Sequence, residues 1–202
     1  MRTGRRLEYF TIGYNSAEAL VSIIAGLIAG SVSLIGFGLD SVIEVASGTA
    51  LLWRLHYDFN RSRRERVERL TLRIVGGCFL ALAAYILYEA GSKLIGHEAP
   101  ERSIPGIIVA AAAVIVMPLL ARAKRRVAAG IGSGAMSADS KQADFCTYLS
   151  AILLGGLLLN TLFGWWWADA GAGLVMVPVI TNEGIDGIRG KACCDDCGAA
   201  CD

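Results

Sequence analysis

Histidine is almost missing from this sequence. Only two occur in 202 residues, and both, His56 and His97, fall at the edges of apolar runs. No serine, histidine or cysteine stands in a recognisable nucleophilic constellation with a base in reach, so the protein is not expected to be an enzyme. Charge is scarce as well. Charged residues make up 18% of the chain, against about a quarter in soluble domains. They cluster between long apolar blocks, and 54% of all residues are hydrophobic. With a mean hydropathy of +0.52, this excludes an ordinary soluble domain and matches an all-α polytopic membrane protein. The net charge of +1 carries little information, and no nucleic-acid partner is expected. A cleavable leader is not expected either: the apolar segment behind the basic first residues holds Asn15 and Glu18, lacks a small-residue cleavage site and is long enough to span.

A disulfide framework is the next absence. Of six cysteines, Cys78 and Cys146 lie within apolar segments, and Cys193, Cys194, Cys197 and Cys201 crowd the last residues. Disulfide scaffolds scatter cysteines through loops, so a reduced tail competent to bind metal is the better reading. The spacing Cys194-x2-Cys197 is that of zinc sites, although a short tract of this kind is also what a disordered tail of reactive thiols looks like.

What is present is a series of apolar stretches near the 20 residues that a spanning helix needs. Six are expected, over residues 7–28, 33–55, 72–94, 104–120, 138–158 and 167–180. The sixth is short and begins beside three tryptophans at 165–167, a residue that favours the headgroup level. Pro118 and Pro178 fall near helix ends, where a missing N–H matters least. Arginine and lysine alternate between connections. They are dense before the first stretch, between the second and third, between the fourth and fifth (Arg122, Lys124, Arg125, Arg126), and after the sixth, and sparse in the intervening loops. That alternation supports the count independently and predicts that both termini are cytoplasmic. Small-residue motifs such as Gly26-x3-Gly30 are expected to be helix-packing surfaces. The expected organisation is one transmembrane domain over residues 1–181 and a cysteine-rich cytoplasmic tail over 182–202.

Against this background the stretch "GFGLDSVIEV", residues 36–45, is anomalous, because it sets Asp40 and Glu44 inside a span. Four positions apart, the two acids share one helical face, and acids within spans by default mark ion or proton pathways. The competing reading is an acid solvated at a helix end or paired with an internal arginine, but Asp40 lies several residues inside and no basic residue is nearby in sequence. The fifth stretch offers partners. Asp139, Gln142 and Cys146 share a face, whereas Asp144 points about 140° away from Asp139 and is expected at the cytoplasmic interface. Two carboxylates and a thiolate suit zinc or a similar borderline ion. The alternative for Cys146 is an inert buried thiol. Asn15, Glu18 and Ser22 form a polar stripe on the first stretch, with Glu18 either a proton carrier or secondary ligand or a structural partner. Asp169 is expected to cap a helix.

At these residues the sequence resembles the cation diffusion facilitator family of zinc/proton antiporters. The likeness runs through "AGLIAGSVSLIGFGLDSVIEVAS" and through "SADSKQADFCTYLSAILLGGLLLN" followed by "GWWWADAGAGL". That family uses Asp-x3-Asp on its second helix and His-x3-Asp on its fifth. Asp40-x3-Glu44 matches the first conservatively, and Gln142-x3-Cys146 stands where the second belongs, a departure toward softer ligands. The family's cytoplasmic metal-binding domain is not expected here. The resemblance implies a homodimer in a cell membrane that exports a divalent cation, zinc foremost with cadmium or cobalt as alternatives, in exchange for protons. The metal would be cargo, with no cofactor required. The alternative is a membrane metal sensor or delivery protein that works through its cysteine tail.

Overall fold

The computed structural model describes residues 2–56, 61–131 and 134–189, and its side chains over most of that range. The cysteine tail, with Cys193, Cys194, Cys197 and Cys201, lies outside the described residues. Six helices follow one another: α1 (Arg2–Ala29), α2 (Val32–His56), α3 (Arg61–Gly96), α4 (Ile104–Ile131), α5 (Gly134–Phe163) and α6 (Ala168–Arg189). No strand occurs among the described residues. Five of the six are long and apolar enough to cross a membrane, and α6 is the exception, because Asn182, Glu183, Asp186 and Arg189 occupy its second half. It still runs with the others, packed chiefly on α3 and also on α5 and α2, with Met176 and Ile180 fully buried. The chain is an integral membrane protein.

The helices are longer than the apolar stretches that mark them. The 36 residues of α3 reach about 54 Å at 1.5 Å per residue, well beyond a hydrocarbon core of roughly 30 Å. Its arginine-rich start was expected to be connection and is helix instead, as is the basic continuation of α4 beyond residue 120. Nothing in those segments breaks a helix, since Arg, Glu and Lys are good helix formers. Helix α5 likewise starts at Gly134 rather than at 138.

Two arrangements build the bundle. Helices α1, α2, α4 and α5 are joined through the pairs α1–α2, α4–α5, α1–α4 and α2–α5, while α3 and α6 form a tight pair beside them. The α3–α6 crossing is backbone on backbone: a Cβ on Gly76 would stand 2.6 Å from the Gly184 carbonyl oxygen, so no larger residue fits there without separating the helices. Apolar side chains face inward from all six (Ala25, Leu34, Phe37, Phe79, Ile86, Met117, Leu149, Leu157, Met176). Others face outward, Ile28, Tyr88, Ile95 and Leu162 among them, as a surface in lipid requires.

The sharp corner between α1 and α2 is specified by three residues. Gly30 takes a left-handed conformation, φ 62°, and the Ser31 N–H reaches back to the Gly26 carbonyl at 3.0 Å, the closure that ends a helix on glycine. Ser31 then caps α2, its Oγ accepting from the Leu34 N–H at 3.1 Å. Asp169, buried in the first turn of α6, completes the corner. It accepts from Ser31 Oγ at 2.6 Å, from the Val32 N–H at 2.9 Å and from Ser33 Oγ. It caps, as its type suggests, but the helix it caps is α2 and not its own.

Replacing Asp169 with alanine strips three buried donors of their acceptor and is expected to cost about 2–3 kcal/mol or more. Asparagine, which keeps one acceptor oxygen, is expected to fall between alanine and wild type. Thermal unfolding of the detergent-solubilised protein measures both; an alanine variant with an unchanged midpoint refutes this role.

Candidate metal pathway

The polar stripe of α1 is longer than expected. Glu8, Thr11, Asn15, Glu18 and Ser22 recur at alternating spacings of three and four, and none is more than 4% exposed. A 3–4 alternation keeps side chains on one face of a helix, so nearly the whole length of α1 turns a polar edge inward. Helix α2 meets it with Asp40, Ser41 and Glu44, and α5 with Asp139, Gln142, Cys146 and Ser150, all buried.

Two clusters divide this column. In the first, Cys146 lies beside Glu44, Asp40 and Glu18, within electrostatic reach of all three. Both carboxylate oxygens of Glu44 and of Glu18 are buried without a hydrogen-bond partner, as are the Asn15 amide, Ser22 Oγ and Gln142 Nε2. Buried polar atoms are normally paired, so a concentration of orphans on three facing helices marks a place built for something besides the protein's own groups. Among the described residues no three His, Cys, Asp or Glu side chains stand close enough to hold a metal ion in this conformation. The donors are near one another without having closed on a common centre. The expected face of Asp139, Gln142 and Cys146 on α5 does form. Asp144 turns away to an exposed ion pair with Arg125 at 3.0 Å, as its angle on the helix requires.

The second cluster is where the sequence reading is corrected. Lys124, counted there among the loop cations, is on α4 and fully buried. It pairs with Asp139 of α5 and with Glu8 of α1 at 3.6 Å, and Glu44 is within its electrostatic reach. A basic side chain is therefore buried close to the second-helix acids, contrary to expectation, and Asp139 faces an ammonium in this structure. Glu8 was missed altogether. The signal was present, since counting back from Asn15 by four and three reaches it. Lys124 carried no such signal, because a lysine among arginines in a basic stretch looks like any other.

Between α5 and α6 a cleft of about 410 Å³ is lined by Lys141, Asp144, Tyr148, Asn182, Glu183 and Asp186 among others. Asp144 in its lining pairs with Arg125, the neighbour of Lys124 in sequence, and its Glu183 lies within electrostatic reach of Asp40. The cleft is thus acidic and near the first cluster.

A membrane bundle that turns unpaired carboxylates and a thiol toward one another, beside an acidic cleft, has the build of a cation carrier. The comparisons agree with that class. The cation efflux transmembrane domain family matches residues 10–189, and the chain belongs to it. It is 23% identical over 172 residues to a cation-efflux pump, FieF, of Shewanella oneidensis, covering 82% of this chain and 58% of that protein. It is also 26% identical over 176 residues to an uncharacterized transporter of Synechocystis, sll1263, covering 83% and 56%. The chain spans a little over half the length of these relatives.

The triad yields a stability prediction. Exchanging Lys124 for glutamine leaves Glu8 and Asp139 facing each other uncompensated and is expected to destabilise the metal-free protein by about 3–5 kcal/mol. Neutralising all three together, Glu8→Gln, Lys124→Met and Asp139→Asn, is expected to recover most of that loss. Thermal unfolding in detergent with a chelator present checks both; a Lys124→Gln protein as stable as wild type contradicts the buried pairing.

Proposed function

We propose that this chain moves a divalent metal cation, zinc foremost, out of the cytoplasm in exchange for protons. The observation that carries the reading is the group of buried donors at Asp40, Glu44, Cys146 and Glu18, in which the Glu44 and Glu18 carboxylates have no hydrogen-bond partner. A sensor working through a cysteine tail has no use for carboxylates in mid-bundle, whereas a carrier needs them.

The mechanism follows from the chemistry of those donors. Carboxylates and thiols bind a metal only when deprotonated, so loading the cation releases protons and reprotonation expels it. The cation arrives from the cytoplasm along the α5–α6 cleft, attracted by Asp144, Glu183 and Asp186, and reaches Asp40 first. Asp40, Glu44 and Cys146 are the principal ligands, with Gln142 a neutral donor, and Glu18 carries a proton or completes the sphere. Rocking of the α3–α6 pair against the other four helices, which α2 touches on both sides, closes the ligands on the ion and then opens them to the opposite face. The basic connections support a reading with both termini in the cytoplasm and the plasma membrane as the site of action. Following the family resemblance, the working unit is a homodimer. Cargo metal is substrate here, and the protein is no enzyme.

Reconstitution into liposomes with an internal metal indicator and an imposed pH gradient tests this. Asp40→Asn is expected to reduce zinc uptake to the level of empty liposomes while leaving the elution profile and helical content unchanged; uptake near the wild-type rate removes Asp40 from the pathway. For the fifth helix the readout is metal preference. A thiolate favours softer ions, so Cys146→Asp combined with Gln142→His is expected to keep zinc transport and lower the cadmium-to-zinc ratio. Cys146→Ala is expected to weaken both metals, and an alanine variant equal to wild type for each shows a packed thiol only.

A further inference from the structure

Lys124 is the one fully buried basic side chain among the described residues. A structural ion pair matches one ammonium with one carboxylate. Here three carboxylates, Asp139, Glu8 and Glu44, lie in the field of a single ammonium, which leaves two negative charges to be met by protons or by one divalent cation. Beyond the ion pairs with Lys124, both oxygens of Glu8 and both of Asp139 are buried with no hydrogen-bond partner. The two acids come from different helices, α1 and α5, close enough to interact with each other, and a third, α4, brings the ammonium against both.

We propose that Glu8 and Asp139 form a second station for the transported divalent cation, and that the tethered Lys124 ammonium occupies it whenever the cation is elsewhere. The inference rests on reading the chain as a metal carrier. Asp139 and Cys146 are seven residues apart on α5, so the station lies about 10 Å along the bundle from the first cluster. A lysine suits the part. Its charge is compact and sits on a flexible stem that can withdraw without rearranging a helix, whereas an arginine fork would hold both carboxylates in a fixed geometry. Hard oxygen donors from two helices are what a divalent cation needs once the ammonium leaves. Glu44 couples the two places, since it lies in reach of both Lys124 and Cys146. When the cation takes Glu44 and Cys146, Lys124 rests on Glu8 and Asp139. When the cation takes Glu8 and Asp139, the ammonium turns to Glu44. With the cation on Glu8 and Asp139 each of these charges is met; with it on Glu44 and Cys146, a proton on Glu8 or Asp139 meets the one left over, which would otherwise cost several kcal/mol.

The test uses the full chain in detergent with Zn²⁺ as the probe. In a background carrying Asp40→Asn and Cys146→Ala, which weakens the first cluster, Lys124→Gln is expected to gain a Zn²⁺ site by equilibrium dialysis. Its affinity should exceed that of the parent retaining Lys124 by about tenfold or more, and adding Asp139→Asn should remove it. In Lys124→Gln alone, Zn²⁺ is expected to restore the thermal midpoint lost with the ammonium, since a ligand bound only to the folded state stabilises it. A folded Lys124→Gln protein that binds no more Zn²⁺ than its parent overturns the proposal. If Lys124→Gln does not fold, the neutral triple variant Glu8→Gln, Lys124→Met, Asp139→Asn decides by transport. A half-saturating Zn²⁺ concentration raised about tenfold, with the maximal rate within roughly twofold, supports the station, and an unchanged half-saturation overturns it. Asp40→Asn judges the first cluster separately: if that variant transports normally while Lys124→Gln still gains its site, the first-cluster reading falls and the station stands.

Discussion

A charge buried among apolar helices is tolerated only when something meets it, because desolvation costs several kcal/mol per ion even after the protein relaxes. The arrangement of this bundle answers to that constraint. Six ionisable side chains, Glu8, Glu18, Asp40, Glu44, Lys124 and Asp139, lie inside it, none more than 5% exposed. Four helices meet around them, α1, α2, α4 and α5, and each supplies at least one. The apolar core, from Phe37 and Phe79 to Leu157 and Ile180, surrounds a polar column and keeps lipid and bulk water from it.

The two ends of the molecule treat buried acids in opposite ways. At the α1–α2 corner Asp169 receives two hydroxyls and a backbone N–H, and Lys93 closes on the Gly30 carbonyl at 2.6 Å. Every donor there has an acceptor within the chain, so the acid is a fastening. Further along the column Glu44 and Glu18 have no such partners. Unsatisfied polar atoms weaken a fold, and a protein that keeps several in one place trades stability for a site whose missing partner comes and goes. Fully paired acids position helices, and unpaired ones leave acceptors open to a proton or a cation.

The Lys124 triad stands between these extremes. It ties α1, α4 and α5 at one end of the column, as a fastening would, yet it is overcharged with carboxylate, as a site would be. Its neighbourhood also differs from the family pattern in softness. Gln142 and Cys146 stand where the resemblance leads one to expect His and Asp, so α5 carries fewer hard anionic donors there, while carboxylates are in surplus around Lys124.

Much of this was legible in the chain. Apolar runs against a membrane's thickness determined the helical class and the position of each helix, and the i, i+4 spacing of Asp40 and Glu44 put both on one face whatever the fold. The 3–4 repeat of Asn15, Glu18 and Ser22 marked the inward edge of α1. Helix boundaries were the weaker part, because hydropathy ends where charge begins while helix formation does not: Arg, Lys and Glu extend α3 and α4 beyond their apolar cores. What only the tertiary structure decided was partnership. No periodicity tells Lys124 from Arg125, yet one is buried against Glu8 and Asp139 and the other is exposed beside Asp144. Nor does spacing reveal that Asp169 caps a helix 137 residues away. A local pattern specifies which face a side chain takes. Which charge it meets there depends on how four or five helices pack, and that packing is a property of the whole chain.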